Sequence, residues 1–508
     1  MKSHNSFQYI LFFVIVFFFG LMNMYGTESP NISLFVALSE YMIIFSLIIT
    51  GNYYKAFFYY LAFTATILEF DTFIYGENAS AHVRYSFANL PIFTDYLRWL
   101  LAYFFAIVAY SDYSKRKIRL PKTMLFLKEW LILLFISGSI SVIVGLIFND
   151  NSVLNSGVFP EVAILNILQY LVKACIIMTT VFLLLRDGWK EQCSNYILLI
   201  IITVALITVV AALLGFVGQY NGRETILIAP LAVALTPMLI LFIFKQGGIS
   251  FHIFAVLSGI AAVISSFVYG GTAIGSKWYI ILLLVAAGLI ITIFKIRSIS
   301  VLAIGGLVCL LVLPVVILPI LSLFDENTYA AVKLDQALST MNIFGAHNAA
   351  AWISDMNVSP LQRFDELHNI FIEYTHKPWF ALFGKGLGGT TRHYTTLLTW
   401  SGLEDFSADQ IRMGAFYRMH ESLGVIFLQH GLVGLVFFFK VIVMLLKRLY
   451  KTPWAMMAVI WFFFYWDYGI SLIIGSVILV LAFAEDIDEL PTKRKKKRGV
   501  TNNKAPQI

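Results

Sequence analysis

Charge is scarce in this chain. Asp, Glu, Lys and Arg supply 13% of 508 residues while hydrophobic residues supply 59%, with 45 Phe among them. That balance excludes an ordinary soluble protein, whose core could not hide so much apolar surface. Cysteine is scarcer still, limited to Cys175, Cys193 and Cys309. All three fall in apolar runs or a short inner loop, which excludes a disulfide framework and a cysteine metal site. A phosphate-binding P-loop sequence is missing, as is an inner polar segment long enough to form a nucleotide-binding lobe. No soluble repeat of about 20–50 residues and no duplication of the two halves is visible, which weighs against repeat-built transporters. Met1 to Met24 holds an apolar run without a small-residue cleavage site, so it reads as a first span and not a removable leader.

What the chain has in abundance is apolar runs of about 17–25 residues, each long enough to cross a bilayer as a helix. They fall near 7–24, 32–50, 54–70, 94–111, 126–148, 162–185, 196–217, 226–244, 250–269, 278–294, 299–321, 421–446, 454–466 and 469–484. The expectation is an all-α, polytopic transmembrane helix bundle of about 14 spans.

The net charge of +7 is concentrated in short loops and in the tail from Lys493 to Arg498, a distribution that speaks for membrane orientation and not for a nucleic-acid partner. With the N-terminus inside, 23 of the 36 Lys and Arg residues lie on the inner side, so both termini are expected in the cytoplasm. The chain then divides into a bundle at 1–321 of about 11 helices, a long external loop at 322–420, C-terminal helices at 421–484 and a basic cytoplasmic tail at 485–508. The chemistry has room only outside.

The external loop carries structure of its own. Ser359-Pro360-Leu361-Gln362 is a helix-start signature, and Leu361, Phe364, Leu367, Phe371 and Tyr374 make an apolar stripe that Lys377-Pro378 ends. An amphipathic helix resting on the membrane domain by that stripe is expected, and a second is expected over Glu326 to Met341. A flexible glycine turn follows at Phe383 to Gly389.

The segment Arg412 to Gly434 runs from this polar loop into an apolar helix. If the helix begins near His420, then His420, Gly424, Phe427, Gly431 and Gly434 fall within about 40° of one line. The glycines would let a neighbouring helix approach closely.

The candidate residues follow from that geography. External cations Lys333, Arg363, Lys377, Lys385, Arg392, Arg412 and Arg418, with Arg223 and Lys277 from short outer turns, can hold a lipid pyrophosphate; alternatively they are solvated or pair with Asp365, Glu366, Glu373, Glu404, Asp405 or Asp409. Arg363, Arg412 and Arg418 stand nearest the structured segments. His420 can accept a proton from a sugar hydroxyl or orient one, or it caps a helix entrance. Glu421 is a second polar contact or a favourable first-turn anion. Lys173, in mid-span, marks a cavity or a partner, whereas Lys440 can snorkel to the inner surface. His347, His368, His376 and His393 show no metal spacing, and neither metal nor cofactor is expected.

The spacing of His420, Gly431 and Gly434, preceded by the Phe383-Gly384-x-Gly386-x-Gly388 turn, resembles the bacterial O-antigen polymerase and O-antigen ligase superfamily. Glu421 stands where that family commonly has Asn. The patch Tyr269 to Lys277 looks like the family's Ser-Arg step, with Lys277 as the cation. The resemblance implies a membrane glycosyltransferase whose external cations, here Lys277, Arg363, Arg412 and Arg418, hold the diphosphate of an undecaprenyl-pyrophosphate-linked oligosaccharide while His420 acts on the acceptor. Besides that substrate and membrane lipid, it implies a protein that regulates chain length. A polymerase of surface polysaccharide in the inner membrane is the expected function. A ligase passing the glycan to lipid A core is the nearest alternative, and a lipid-linked oligosaccharide flippase is the alternative from another class.

Overall fold

The computed structural model describes residues 2–25, 30–66, 96–116, 125–150, 152–153, 160–186, 188–214, 217–220, 223–226, 358–394, 408–417, 419, 422–449, 451–464 and 471–484. The expected spans at 250–269, 278–294 and 299–321, nearly all of that at 226–244, the Glu326 to Met341 helix and Cys309 lie outside these residues.

The described residues are overwhelmingly helical. Helices α1 (Lys2–Tyr25), α2 (Pro30–Ile49), α3 (Tyr53–Ala65), α4 (Tyr96–Ser114), α5 (Leu125–Ile147), α6 (Pro160–Leu184) and α7 (Trp189–Leu213) come first. Then, after a short hairpin, come α8 (Val358–His376), α9 (Ala408–Met413), α10 (Ser422–Leu446), α11 (Pro453–Phe464) and α12 (Ser471–Leu481). Among the described residues, three helices are long and apolar enough to cross a membrane, over Asn31–Ile49, Lys128–Ile147 and Ser422–Leu446. Apolar helices serve this role because all their backbone polar groups are satisfied within the segment.

Strands β1 (Val217–Tyr220) and β2 (Arg223–Ile226) pair antiparallel, with Tyr220 opposite Arg223. They stand where a plain turn was expected between spans. The intervening Asn221-Gly222 is the sequence pair that favours a two-residue hairpin turn.

The main core is aromatic. In α3 every residue from Ala56 to Thr64 is buried, as befits a helix apolar all round and surrounded by others. Phe58 stacks on Tyr196 of α7 at 4.4 Å, and Phe57 meets Phe105 of α4 at 5.5 Å. Helices α1, α2, α3 and α7 pack on one another, α4 lies along α6, and α12 bridges α3 and α6. Helix α10 runs between α5 and α11, and a second, smaller core joins its first half to Ile370 and Tyr374 of α8.

Candidate functional site: a hairpin seated in a broken helix

Helix α8 buries its polar side as well as part of its apolar stripe. Its buried face carries Gln362, Asp365, Glu366, Asn369 and Glu373, residues whose spacing places them along one side of a helix. Phe371 of the expected apolar stripe is 59% exposed. Leu361, Phe364 and Leu367 of that stripe are half-buried and Tyr374 at its end is buried. The polar side can be buried because residues 385–394 supply partners for Asp365, Asn369 and Glu373.

Lys385 and Glu373 are both wholly buried and lie at the centre of these partners. The Lys385 ammonium donates to Glu373 Oε1 and to the Thr390 carbonyl at 2.7 Å. The other Glu373 oxygen, Oε2, accepts from the Tyr394 hydroxyl at 2.5 Å and the Arg392 N–H at 3.4 Å. Lys377 Nζ bridges Glu373 Oε1 at 3.0 Å and Asp150 Oδ2, just past α5, at 2.8 Å. Alongside, Asn369 Oδ1 accepts from the Tyr394 N–H at 2.5 Å, and His393 Nε2 lies 3.0 Å from Asp365 Oδ2.

Electrostatics follow the contacts. Burial alone would raise the Glu373 carboxyl, but Lys385, Tyr394 and Lys377 hold it below its ordinary value. Burial also works against ionised Asp150, yet Lys377 and the Ser152 hydroxyl and N–H bring it down to about 2. Tyr394 is pushed up by burial and by the Glu373 carboxylate it donates to.

The segment after α8 enters the helical bundle and comes back. It starts level with the end of α5, where Trp379 stacks on Phe148 at 4.1 Å. It dips to Gly384, whose carbonyl accepts from Ser141 Oγ at 2.8 Å, roughly 9 Å below Ile147 by helical rise. It returns at Thr390, whose N–H donates to the Ser152 carbonyl at 3.0 Å.

The tip of this re-entrant hairpin fills a break in α10. Gly431 has φ 60° and ψ −152°, so the helix is interrupted there. In an unbroken helix the Leu432 and Val433 N–H groups would bond to the Leu428 and Gln429 carbonyls. Instead they donate to Ala381 O at 2.9 Å and Leu382 O at 3.1 Å, while the freed Leu428 and Gln429 carbonyls accept from the N–H groups of Lys385 at 2.8 Å and Gly386 at 3.0 Å. Two helical hydrogen bonds are thus replaced by four to the hairpin, which is how irregular backbone is tolerated inside a bundle.

Only glycine fits this contact. A Cβ on Gly431 would lie 2.6 Å from Gly384 N, and one on Gly384, itself at φ 73°, would lie 2.5 Å from Gln429 C. The expected glycine seam between two helices is accordingly corrected. The close neighbour at Gly431 is a loop, and a helical projection through Gly434 does not survive the break.

Polar residues gather beneath the hairpin. His430 Nδ1 lies 2.7 Å from Ser137 Oγ of α5, and its buried Nε2 has no hydrogen-bond partner among the described residues. The Tyr170 hydroxyl of α6 donates to Gln429 Oε1 at 2.8 Å, and Lys173 Nζ sits 4.4 Å over the Tyr170 ring. Lys173 is buried, inside the bundle where a mid-span cation is placed.

Of the other sequence candidates, Arg363 is half-buried near the start of α8 and Arg412 is exposed in the last turn of α9. Arg223 opens β2, with its side chain outside the described residues. Lys277, Arg418, His420 and Glu421 lie outside them altogether. The segment before His420 is anchored at Phe416, which exchanges backbone hydrogen bonds of 2.9 and 2.8 Å with Thr391, and at Met419, which is buried. Lys377, Lys385 and Glu373 were visible in the sequence only as loop charges able to pair. His430, Gln429, Tyr170, Ser137 and Asp150 were missed, and the signal that pointed to them was a histidine and an amide beside a glycine in an apolar run. Among the described residues no group of three or more His, Cys, Asp or Glu is placed to hold a metal ion.

The fold and site define a helical protein of membrane character with a polar, re-entrant element on one side. Comparison with family models, with curated proteins and with solved structures finds no match.

Proposed function

We propose that this chain is a bacterial inner-membrane polymerase of surface polysaccharide, with about 14 spans, both termini in the cytoplasm and residues 322–420 on the periplasmic side. It joins undecaprenyl-pyrophosphate-linked repeat units. The acceptor hydroxyl, oriented by His420 and giving its proton to that imidazole, forms a bond to the anomeric carbon of the donor glycan. The bond from that carbon to the diphosphate breaks, and its electron pair leaves with undecaprenyl pyrophosphate. Arg363 and Arg412, with Lys277 and Arg418, stabilise the charge that grows on the leaving diphosphate. The donor arrives already activated.

One observation carries this reading beyond the family resemblance. The re-entrant hairpin fastens the cation-bearing loop helices α8 and α9 to the ends of α5 and α10, which would put fixed cations where a lipid-anchored diphosphate meets the bundle. Fixed donors cost no reorganisation during reaction.

The test is the length of surface glycan in a null strain complemented with wild type, His420→Ala or Arg412→Ala, each checked for membrane level. Wild type is expected to restore the ladder, and the two variants to leave a single repeat unit on the core. Absence of any glycan on the core in the null strain would assign the chain to ligation instead. A well-expressed His420→Ala that restores the full ladder would remove His420 from the chemistry.

A further inference from the structure

We infer that Lys385 is a positioning residue for the transfer step, tying helix α8, which carries Arg363, to the strand that holds helix α9, which carries Arg412. This inference rests on the polymerase reading. Lys385 itself reaches neither substrate nor solvent, being 0% exposed, so its effect passes through other groups.

The tie has two arms. One is the ion pair with Glu373 on α8, on the same rigid helix as Arg363. The other is the hydrogen bond to the Thr390 carbonyl at 2.7 Å. Thr391 then exchanges backbone bonds with Phe416. Next to Phe416, the Ala415 N–H donates to Gln410 O at 3.2 Å and the Tyr417 N–H donates to Gln410 Oε1 at 3.2 Å. Gln410 lies in α9, two residues before Arg412. A path of hydrogen bonds and peptide links therefore runs from Arg363's helix through the Lys385 ammonium to Arg412's helix, beside the bonds that the Arg392 N–H and the Tyr394 hydroxyl make directly to Glu373.

A buried pair is a poor source of stability, because an apolar pair of the same volume would serve as well. What it supplies is direction, since the ammonium fixes a carboxylate and a carbonyl at set angles. Two cations that must share one diphosphate need that fixed spacing chiefly when charge develops on the leaving oxygen. Loss of the tie should thus lower kcat more than it raises KM.

The experiment uses membrane vesicles carrying the full chain, supplied with lipid-linked repeat units extracted from the null strain. The variants are Lys385→Met and the neutral pair Lys385→Met with Glu373→Gln, which leaves no lone buried charge. Hairpin seating is read separately by Thr391→Cys in a background without Cys175, Cys193 and Cys309, where a membrane-impermeant maleimide should fail to label a buried thiol. The expected result for the neutral pair is a kcat lower by about 100-fold with KM changed by less than about 3-fold, and Thr391→Cys still protected. A kcat within about 3-fold of wild type overturns the inference. So does loss of protection together with loss of activity, which would make Lys385 a folding element only. Wild-type vesicles that form no polymer overturn the polymerase reading, a failure distinguishable because it precedes any change at Lys385.

Discussion

The two halves of α10 are held by different chemistry. Above Gly431, Gln429 and His430 bond to Tyr170 and Ser137, the Tyr374 hydroxyl lies 2.8 Å from the Phe427 carbonyl, and the hairpin takes the carbonyls of Leu428 and Gln429. Below it, Phe438 stacks on Phe462 at 5.0 Å, Val441 and Leu445 are buried, and the ion pair of Lys440 with Glu129 is about half-exposed. The upper half depends on directional contacts that fail if a partner moves. The lower half depends on shape and apolarity, which tolerate exchange.

This contrast is breakable, most severely at the contact itself. Gly431→Ala should destabilise the protein by at least about 3 kcal/mol, because the new Cβ combines a left-handed φ with backbone atoms closer than any real contact. Thermal unfolding in detergent, followed by reaction of a thiol dye with buried Cys193, reads it. A loss under about 1 kcal/mol would mean the break can be relaxed.

Next in size is Lys385→Met, which leaves buried Glu373 with Lys377 as its remaining cation and should cost about 1–3 kcal/mol. Adding Glu373→Gln should recover much of that loss, and the double-mutant cycle measures how much.

The outer contacts also set an acid limit. Asp150 and Glu373 are both held below their ordinary values. Their contribution is therefore complete above the ordinary carboxylate values of 3.8 and 4.5 and is lost as pH falls through the lowered ones, about 2 for Asp150. The melting temperature should drop as pH falls from about 5 toward about 2, and less steeply in Lys377→Gln, where both carboxylates have lost a partner.

The smallest effects are expected where packing is generic. Phe438→Leu should cost under about 1.5 kcal/mol, and Lys440→Met under about 1 kcal/mol, since an exposed ion pair contributes little. Either value above about 3 kcal/mol would erase the distinction between the halves.

Much of the helical layout was legible because apolar length is a local property. Helices α2, α5 and α10 begin and end within a few residues of the expected runs, and α8 stops at His376, just before the Lys377-Pro378 pair that ends it. That α8 also buries its polar side was not legible. A stripe of apolar residues does not tell whether the polar side is covered too, and here Lys385, Arg392, His393 and Tyr394 cover it from beyond the helix's own sequence. Gly431 shows the same limit, because glycine spacing reports that something comes close without saying whether it is a helix or a loop.

The sequence by itself determined a helical, membrane-type chain and where several of its helices run, since these follow from composition and short-range periodicity. Only the tertiary structure decided which charges are buried, that α10 is broken, and that a hairpin fills the break. Those outcomes depend on hydrogen bonds between segments far apart in the chain. The backbone donors exchanged between the hairpin and α10 are satisfied by partners that no local pattern names.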